Sequence, residues 1–208
     1  MPRQDKEVTR SRIEDATIKL FATHSYHSIS MDEIASKACI SKRTLYKYYP
    51  SKAQLFISIF EQNLRQLDAE NALLESREDV KGKSFSDILI GLFTALYEFT
   101  DKHRQFMELF WMLNSDTLEK GTSEEVAGHI LQLNNRIMEK SAKLLGESTP
   151  TGIFKDMSPI LITQFYSAIN KGIFFQAEKE ARIGIDIVTQ DDLYQTACSM
   201  LRHCAEEM

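Results

Sequence analysis

The sequence predicts an all-α protein, and three observations predict it. Apolar residues recur at helical spacing along nearly the whole chain, and no segment alternates for long in the manner of a strand. Cap signatures recur. Ser30-x-x-Glu33, Ser51-x-x-Gln54, Ser84-x-x-Asp87, Thr122-x-x-Glu125 and Thr189-x-x-Asp192 fit a capping box or its aspartate variant, and Ser158-Pro159 fits an N-cap with proline at the first helical position. All eight glycines lie at or beyond Gly82, most of them in connecting segments or near helix ends. These signals place helices near 5–24, 31–38, 42–48, 52–75, 84–100, 102–114, 123–145, 159–182 and 190–206, with connections at 76–84, 115–122 and 146–158.

The first three helices predict a small core of their own. Ile13, Ala16, Thr17, Leu20 and Phe21 form a stripe on the first helix. It covers a pair of short helices whose apolar residues, Ile34, Ala38, Ile40 and Leu45, fall where two crossing helices meet, with the small Ala35 at their closest approach. On spacing alone this is equally an ordinary helical hairpin. The fourth helix, spanning about 36 Å at 1.5 Å per residue, is long enough to link this unit to the body. The division expected is residues 1–52 for the N-terminal domain, with the start of the fourth helix, and 53–208 for the rest.

Charge separates the two parts. Residues 1–52 hold 10 Lys+Arg against 6 Asp+Glu, a net of +4, while the remaining 156 hold 15 against 24, a net of −9; the whole chain carries −5. A basic head on an acidic body suits binding to DNA without general adhesion to polyanions. Cys39, Cys198 and Cys204 make no CxxC pair, which fits a reducing cytoplasm. The charged N-terminus offers no signal peptide, and no run approaches the roughly 18 apolar residues of a membrane span. A cytoplasmic protein is expected.

The helix at 42–48 carries the sharpest signal. Its inward side takes Leu45 and part of Tyr48 or Tyr49, leaving Lys42, Arg43, Thr44, Tyr46 and Lys47 facing out; residues 41–60 contain no acid at all. A merely solvated helix would mix in carboxylates. Lys42 and Arg43 lie in the first turn, where side chains reach guanine edges in the major groove. Thr44, Tyr46, Tyr48 and Lys52 are placed to hold phosphates, and the capped starts at Ser30 and Ser51 add backbone N–H groups.

These residues resemble a known family. The segment IEDATIKLFATHSYHSISMDEIASKACISKRTLYKYYPSKAQLF, with its Ile34-Ala35 pair, the Ser41 start, Thr44-Leu45-Tyr46 and Lys52-x-x-Leu55, is similar to the DNA-binding domain of the TetR family of bacterial transcription regulators. The likeness covers about the first 60 residues. It implies an all-helical homodimer whose larger C-terminal domain binds a small molecule and dimerises through its last two helices, with Lys42 and Arg43 at base-reading positions and Ser30, Thr44, Tyr46, Tyr48 and Lys52 at backbone-contact positions. Two departures stand out. The family's usual glycines are replaced near Ser25 and, in the corner, by Cys39, where a left-handed non-glycine residue costs roughly 1 kcal/mol. Cys39 reads as a small buried corner residue, with a redox sensor as the alternative.

No motif names a ligand for the body. Phe93, Tyr97, Phe106, Phe110, Trp111, Gln164, Phe165, Tyr166 and Ile169 are the expected lining of an effector pocket for an apolar or aromatic molecule, with Asn114, Gln164 and Asn170 as polar anchors. Taken singly, each apolar one reads first as plain core. The dimer seam is expected from Ile169 and Ile173 on the eighth helix and from Leu193, Ala197, Met200, Leu201 and Cys204 on the ninth. The function expected is a ligand-responsive repressor that binds a palindromic operator; a DNA-binding regulator whose body binds a protein partner is the alternative. No Glu-x-x-His pair, HExxH, P-loop or Gly-x-Ser-x-Gly occurs, so neither an enzyme, nor a metal site, nor a cofactor is expected.

Overall fold

The computed structural model describes residues 3–21, 24, 26, 28–76, 82–113, 124–184 and 188–206. Among these the regular structure is helical: α1 (Arg3–Phe21), α2 (Met31–Lys37), α3 (Lys42–Tyr48), α4 (Lys52–Ser76), α5 (Phe85–Lys102), α6 (Arg104–Leu113), α7 (Glu124–Leu145), a 3-10 turn (Gly152–Phe154), α8 (Pro159–Ile183) and α9 (Gln190–Glu206). The expected helices are all present with ends shifted by a few residues; the 3-10 turn was not foreseen. Ser25, Asn114 and the Thr122 cap lie outside the described residues.

The caps explain where the helices begin. Ser30 Oγ accepts from the Glu33 amide at 3.2 Å while the Ser30 amide donates to Glu33 Oε2 at 2.7 Å, a complete capping box. Thr189 and Asp192 exchange the same two bonds at 3.0 and 3.2 Å. Ser51 accepts from the Gln54 amide, Ser84 from Asp87 and Ser158 from Leu161.

Two compact units result, 1–64 with 103–134 and 65–102 with 135–208. In the first unit the apolar packing continues into α4. Leu55, Phe56, Ile59 and Phe60 of α4 are buried. The Phe56 ring centroid lies 4.3 Å from that of Phe21 and 5.0 Å from that of Tyr26, and Phe60 meets Phe106 at 5.3 Å and Phe110 at 6.1 Å. One apolar face of α4 thus seals both the three-helix head and α6, and α4 runs unbroken across the division at 64/65.

In the second unit α9 packs on α5 and α8, and α5 on α8. Phe85, Leu89, Leu92, Phe93, Ile162, Tyr166, Ile173, Ala197 and Leu201 belong to its core, where full burial of a large apolar side chain is worth about 1.5–3 kcal/mol. Residues of the expected dimer seam contribute to this core. Ile173, Ala197 and Leu201 are buried within their own chain, and Ile169, Leu193 and Cys204 pack against the same cluster. The reason is that the α9 stripe is a single face, and α5 and α8 of the same chain occupy it. Of the expected set only Met200 stands out, at 63% exposure. Among the described residues of α8, Ile160, Leu161, Phe165, Phe175 and Ile183 are exposed, and Leu161, Phe165 and Phe175 fall in line with the exposed Ala168 and Gly172 at steps of three and four.

The 3-10 turn is pinned to the end of α9. Thr151 Oγ1 donates to the Ala205 carbonyl, and Gly152 sits at φ +58° with its α-carbon so close that a β-carbon would lie 2.0 Å from the Cys204 carbonyl oxygen. Gly152→Ala therefore combines left-handed strain with a backbone clash. It should lower the unfolding free energy by at least about 2 kcal/mol in chemical denaturation; an unchanged midpoint would contradict this packing.

Candidate nucleic-acid interface

The α2–α3 corner is built around Ile34 and Leu45, both fully buried, with Ala35, Ala38 and Tyr49. Leu45 and Tyr49 are four apart, so they occupy one face of α3 and turn the remainder outward. Tyr49 takes the inward place and Tyr48 is half-buried. At the corner, Cys39 is left-handed at φ 54°, as its position after α2 demands. Its amide donates to the Ser36 carbonyl and the Ile40 amide to Ala35, both at 3.0 Å, which is the Schellman pattern. Arg12 of α1 closes the turn by donating to the Ala38 carbonyl at 2.7 Å and the Cys39 carbonyl at 3.3 Å. Cys39 itself is exposed, not buried as expected, because the left-handed turn points its side chain to solvent.

Two buried polar links hold α3 and α4 in place. Tyr49 Oη donates to Glu14 Oε1 at 2.7 Å, and burial raises the Glu14 carboxyl pKa, partly offset by that hydrogen bond. Burial likewise pushes the Tyr49 hydroxyl up. Lys52 Nζ donates to the carbonyls of Tyr26 and Ile29 at 2.6 and 2.8 Å and lies 4.3 Å from the Tyr26 ring centroid; burial lowers its pKa. Lys52, expected to face phosphate, thus has two of its three donors engaged in tying α4 to the chain entering α2.

The outward face is basic and phenolic. Lys42, Arg43, Tyr46 and Lys47 are exposed, and Thr44 is half-buried. Ser41 caps α3, accepting from the Thr44 amide at 3.1 Å and lying 2.8 Å from Thr44 Oγ1. Ser30 is exposed but tied into its capping box. The structure therefore brings Lys42, Arg43, Tyr46 and Lys47 to one surface, and shows Ser30, Ser41 and Lys52 engaged internally. Sequence reading missed Asp32, whose carboxylate meets Lys42 Nζ at 2.7 and 2.9 Å. It also missed Arg12 and Glu14. Their partners lie 10 to 35 residues away, beyond what helical spacing reveals.

The expected pocket residues divide between the units. Phe106, Phe110 and Trp111 are buried in the first. Phe93, Tyr97, Tyr166 and Ile169 lie in the second, where Tyr97 stacks on Tyr194 at 3.9 Å. Gln164 and Phe165 are exposed on α8, and the Phe165 ring lies 6.5 Å from that of the buried Phe154. Among the described residues no cluster of metal-ligating side chains occurs, and no helix is long and apolar enough to cross a membrane.

A three-helix head with a corner of this kind and a basic second helix defines a helix-turn-helix protein. Residues 13–59 match the model of the bacterial regulatory proteins of the tetR family. The chain is 31% identical over 124 residues, 60% of its length, to the HTH-type transcriptional repressor SCO4008 of Streptomyces coelicolor. It superposes on a TetR-like transcriptional regulator from Rhodococcus sp. RHA1 with TM-score 0.64 at 24% identity, all of both chains covered. It superposes also on FadR of Bacillus subtilis, solved in complex with stearoyl-CoA, with TM-score 0.62 at 18% identity over 95% of this chain and 98% of that one. Residues 13–59 therefore form a helix-turn-helix domain of the kind that characterises the bacterial regulatory proteins of the tetR family. The match covers only 57%, 36% and 41% of the first three curated relatives, so their likeness is concentrated in part of the chain.

Glu14 gives this head a pH signature. A carboxyl whose folded pKa is raised contributes stability that is full below its ordinary value of 4.5 and is lost as pH rises through the folded value. Wild-type unfolding free energy should thus fall from pH 4.5 towards neutrality relative to Glu14→Gln, which keeps an acceptor for Tyr49. Parallel stability curves for the two proteins would refute a buried, proton-holding Glu14.

Proposed function

We propose that the protein is a transcriptional repressor that binds a palindromic operator as a homodimer, through α3, and releases it when a small molecule binds the second unit. The observation that carries the DNA-binding part is the exposed, acid-free surface of α3, bearing Lys42, Arg43, Tyr46 and Lys47 on a corner fixed by Arg12 and the Schellman turn. Lys42 and Arg43 read base edges from the first turn, while Thr44, Tyr46, Lys47 and Tyr48 hold phosphates. Ser30, Ser41 and Lys52 act mainly by shaping the head. The protein works in the cytoplasm, where the operator is.

The partner surface we assign to the dimer is the exposed α8 line Leu161, Phe165, Ala168, Gly172 and Phe175, together with the exposed Met200 of α9. Gly172 has nothing within 4 Å of where a β-carbon would stand, which lets a second helix approach closely. Such a pairing buries an apolar stripe that water otherwise covers. Two heads related by a twofold axis sit about 34–36 Å apart, or a multiple, on the duplex.

The effector reading rests on Asn170. Its side chain is 1% exposed, and its Nδ2 donates to Thr100 Oγ1 at 2.8 Å. Thr100 has one hydroxyl proton, and the Leu96 carbonyl takes it at 2.7 Å, so the orientation of the Asn170 amide is fixed. That leaves Asn170 Oδ1 as a buried acceptor without a partner. Leaving such a group unmet costs about 1–3 kcal/mol, and a ligand carrying a hydroxyl or N–H group beside an apolar body would satisfy it. The ligands of two neighbours, stearoyl-CoA for FadR of Bacillus subtilis and choline for a regulator from Saccharomonospora viridis, show that this fold accepts small molecules. Effector and operator must prefer different conformations, so each lowers affinity for the other.

Selection of duplex fragments on the purified protein tests the first part. Wild type should enrich an inverted repeat, and Arg43→Ala should lose preference at one position of each half-site, costing about 1–3 kcal/mol there; enrichment without symmetry, or unchanged by Arg43→Ala, overturns it. A thermal-shift titration with stearoyl-CoA and with aromatic alcohols tests the second, since a ligand at 100 times its Kd stabilises by about 2.7 kcal/mol. No shift with any of these probes, together with undiminished operator binding in their presence, would count against the effector.

A further inference from the structure

The recognition surface carries an acid, and it is aimed at the base-reading lysine. Asp32 lies in the first turn of α2 and Lys42 in the first turn of α3, so the corner brings together two residues ten apart in sequence. Lys42 Nζ lies 2.7 Å from Asp32 Oδ1 and 2.9 Å from Oδ2, with both side chains exposed, at 58% and 62%. The α2 cap does not explain this acid, because Glu33 fills that role.

We propose that Asp32 is a positioning residue for DNA selectivity: it holds Lys42 over the start of α3 and cancels its charge towards the phosphate backbone, so that Lys42 adds to base reading without adding to sequence-independent affinity. This rests on the DNA-binding reading above. An ammonium has three N–H donors, so one pointing at Asp32 leaves others for the O6 and N7 acceptors of guanine. Non-specific binding follows the number of phosphates neutralised, with each contributing about 0.9 to the slope of log K against log salt. A lysine paired with a neighbouring carboxylate contributes little to that count.

The experiment compares wild type, Asp32→Asn, Lys42→Ala and the double variant, each as the full-length protein. Binding is measured to a random-sequence 30-base-pair duplex across a salt series, alongside enrichment from a duplex library. Asp32→Asn should steepen the non-specific salt slope by about 0.9 and tighten non-specific binding several-fold at low salt. It should also flatten the enrichment at the position read by Lys42, while leaving the melting temperature unchanged. In the Lys42→Ala background the same substitution should leave the slope within error of its parent. A slope unaltered by Asp32→Asn overturns the proposal, and so does an equal steepening in both backgrounds, because Asp32 would then act by its own charge and not through Lys42. If wild type binds no duplex in dilute salt, the DNA-binding reading itself has failed; if it binds and Asp32→Asn behaves identically, only this inference has.

Discussion

The burial of Leu45 and Tyr49 on one side of α3, where it packs on α2, is the constraint on which the rest depends. A seven-residue helix cannot hold itself together in water; isolated helices below about 12–15 residues are marginal. α3 exists because its two inward side chains are taken up by α1 and α2, and because Ser41 and the Tyr49 backbone close its ends. That same packing fixes which residues face out. With Leu45 and Tyr49 committed inward, Lys42, Arg43, Tyr46 and Lys47 are left on the exposed side, Lys42 held there by Asp32.

The polar links around this contact act as orientation devices more than as sources of stability. The Arg12 guanidinium reads two carbonyls at the end of α2, which fixes the corner angle despite the non-glycine Cys39. Tyr49 and Glu14 join the end of α3 to α1, and Lys52 joins the start of α4 to the segment before α2. Each lies behind the exposed face and constrains a different end of it. A surface meant to meet a rigid duplex gains from being set in advance, since ordering at the moment of binding costs affinity.

The architecture was largely legible because capping chemistry and apolar spacing are local. Ser30 with Glu33, Ser84 with Asp87 and Thr189 with Asp192 mark helix starts within four residues, and the structure forms each pair. The exposed basic face of α3 was legible for the same reason. What stayed hidden were facts decided by which face of a helix its own chain occupies. The stripe Leu193, Ala197, Leu201 looks the same whether it meets α5 or a second subunit, and here α5 and α8 take it. The expected pocket residues likewise fall in two units, Phe106, Phe110 and Trp111 in one and Phe93, Tyr97, Tyr166 and Ile169 in the other, a division that composition alone does not reveal. Asp32 and Lys52 show the remaining limit. A charge reads as solvated until its partner, ten or twenty-six residues distant, is seen.

Chemical footprinting of the purified protein on its best-enriched duplex, in dilute salt, examines the central claim most directly. α3 presented twice by a symmetric pair of chains leaves two equal protected patches, related by a dyad and centred a whole number of helical turns apart. A single unsymmetrical patch, or uniform cleavage at every salt concentration, contradicts it.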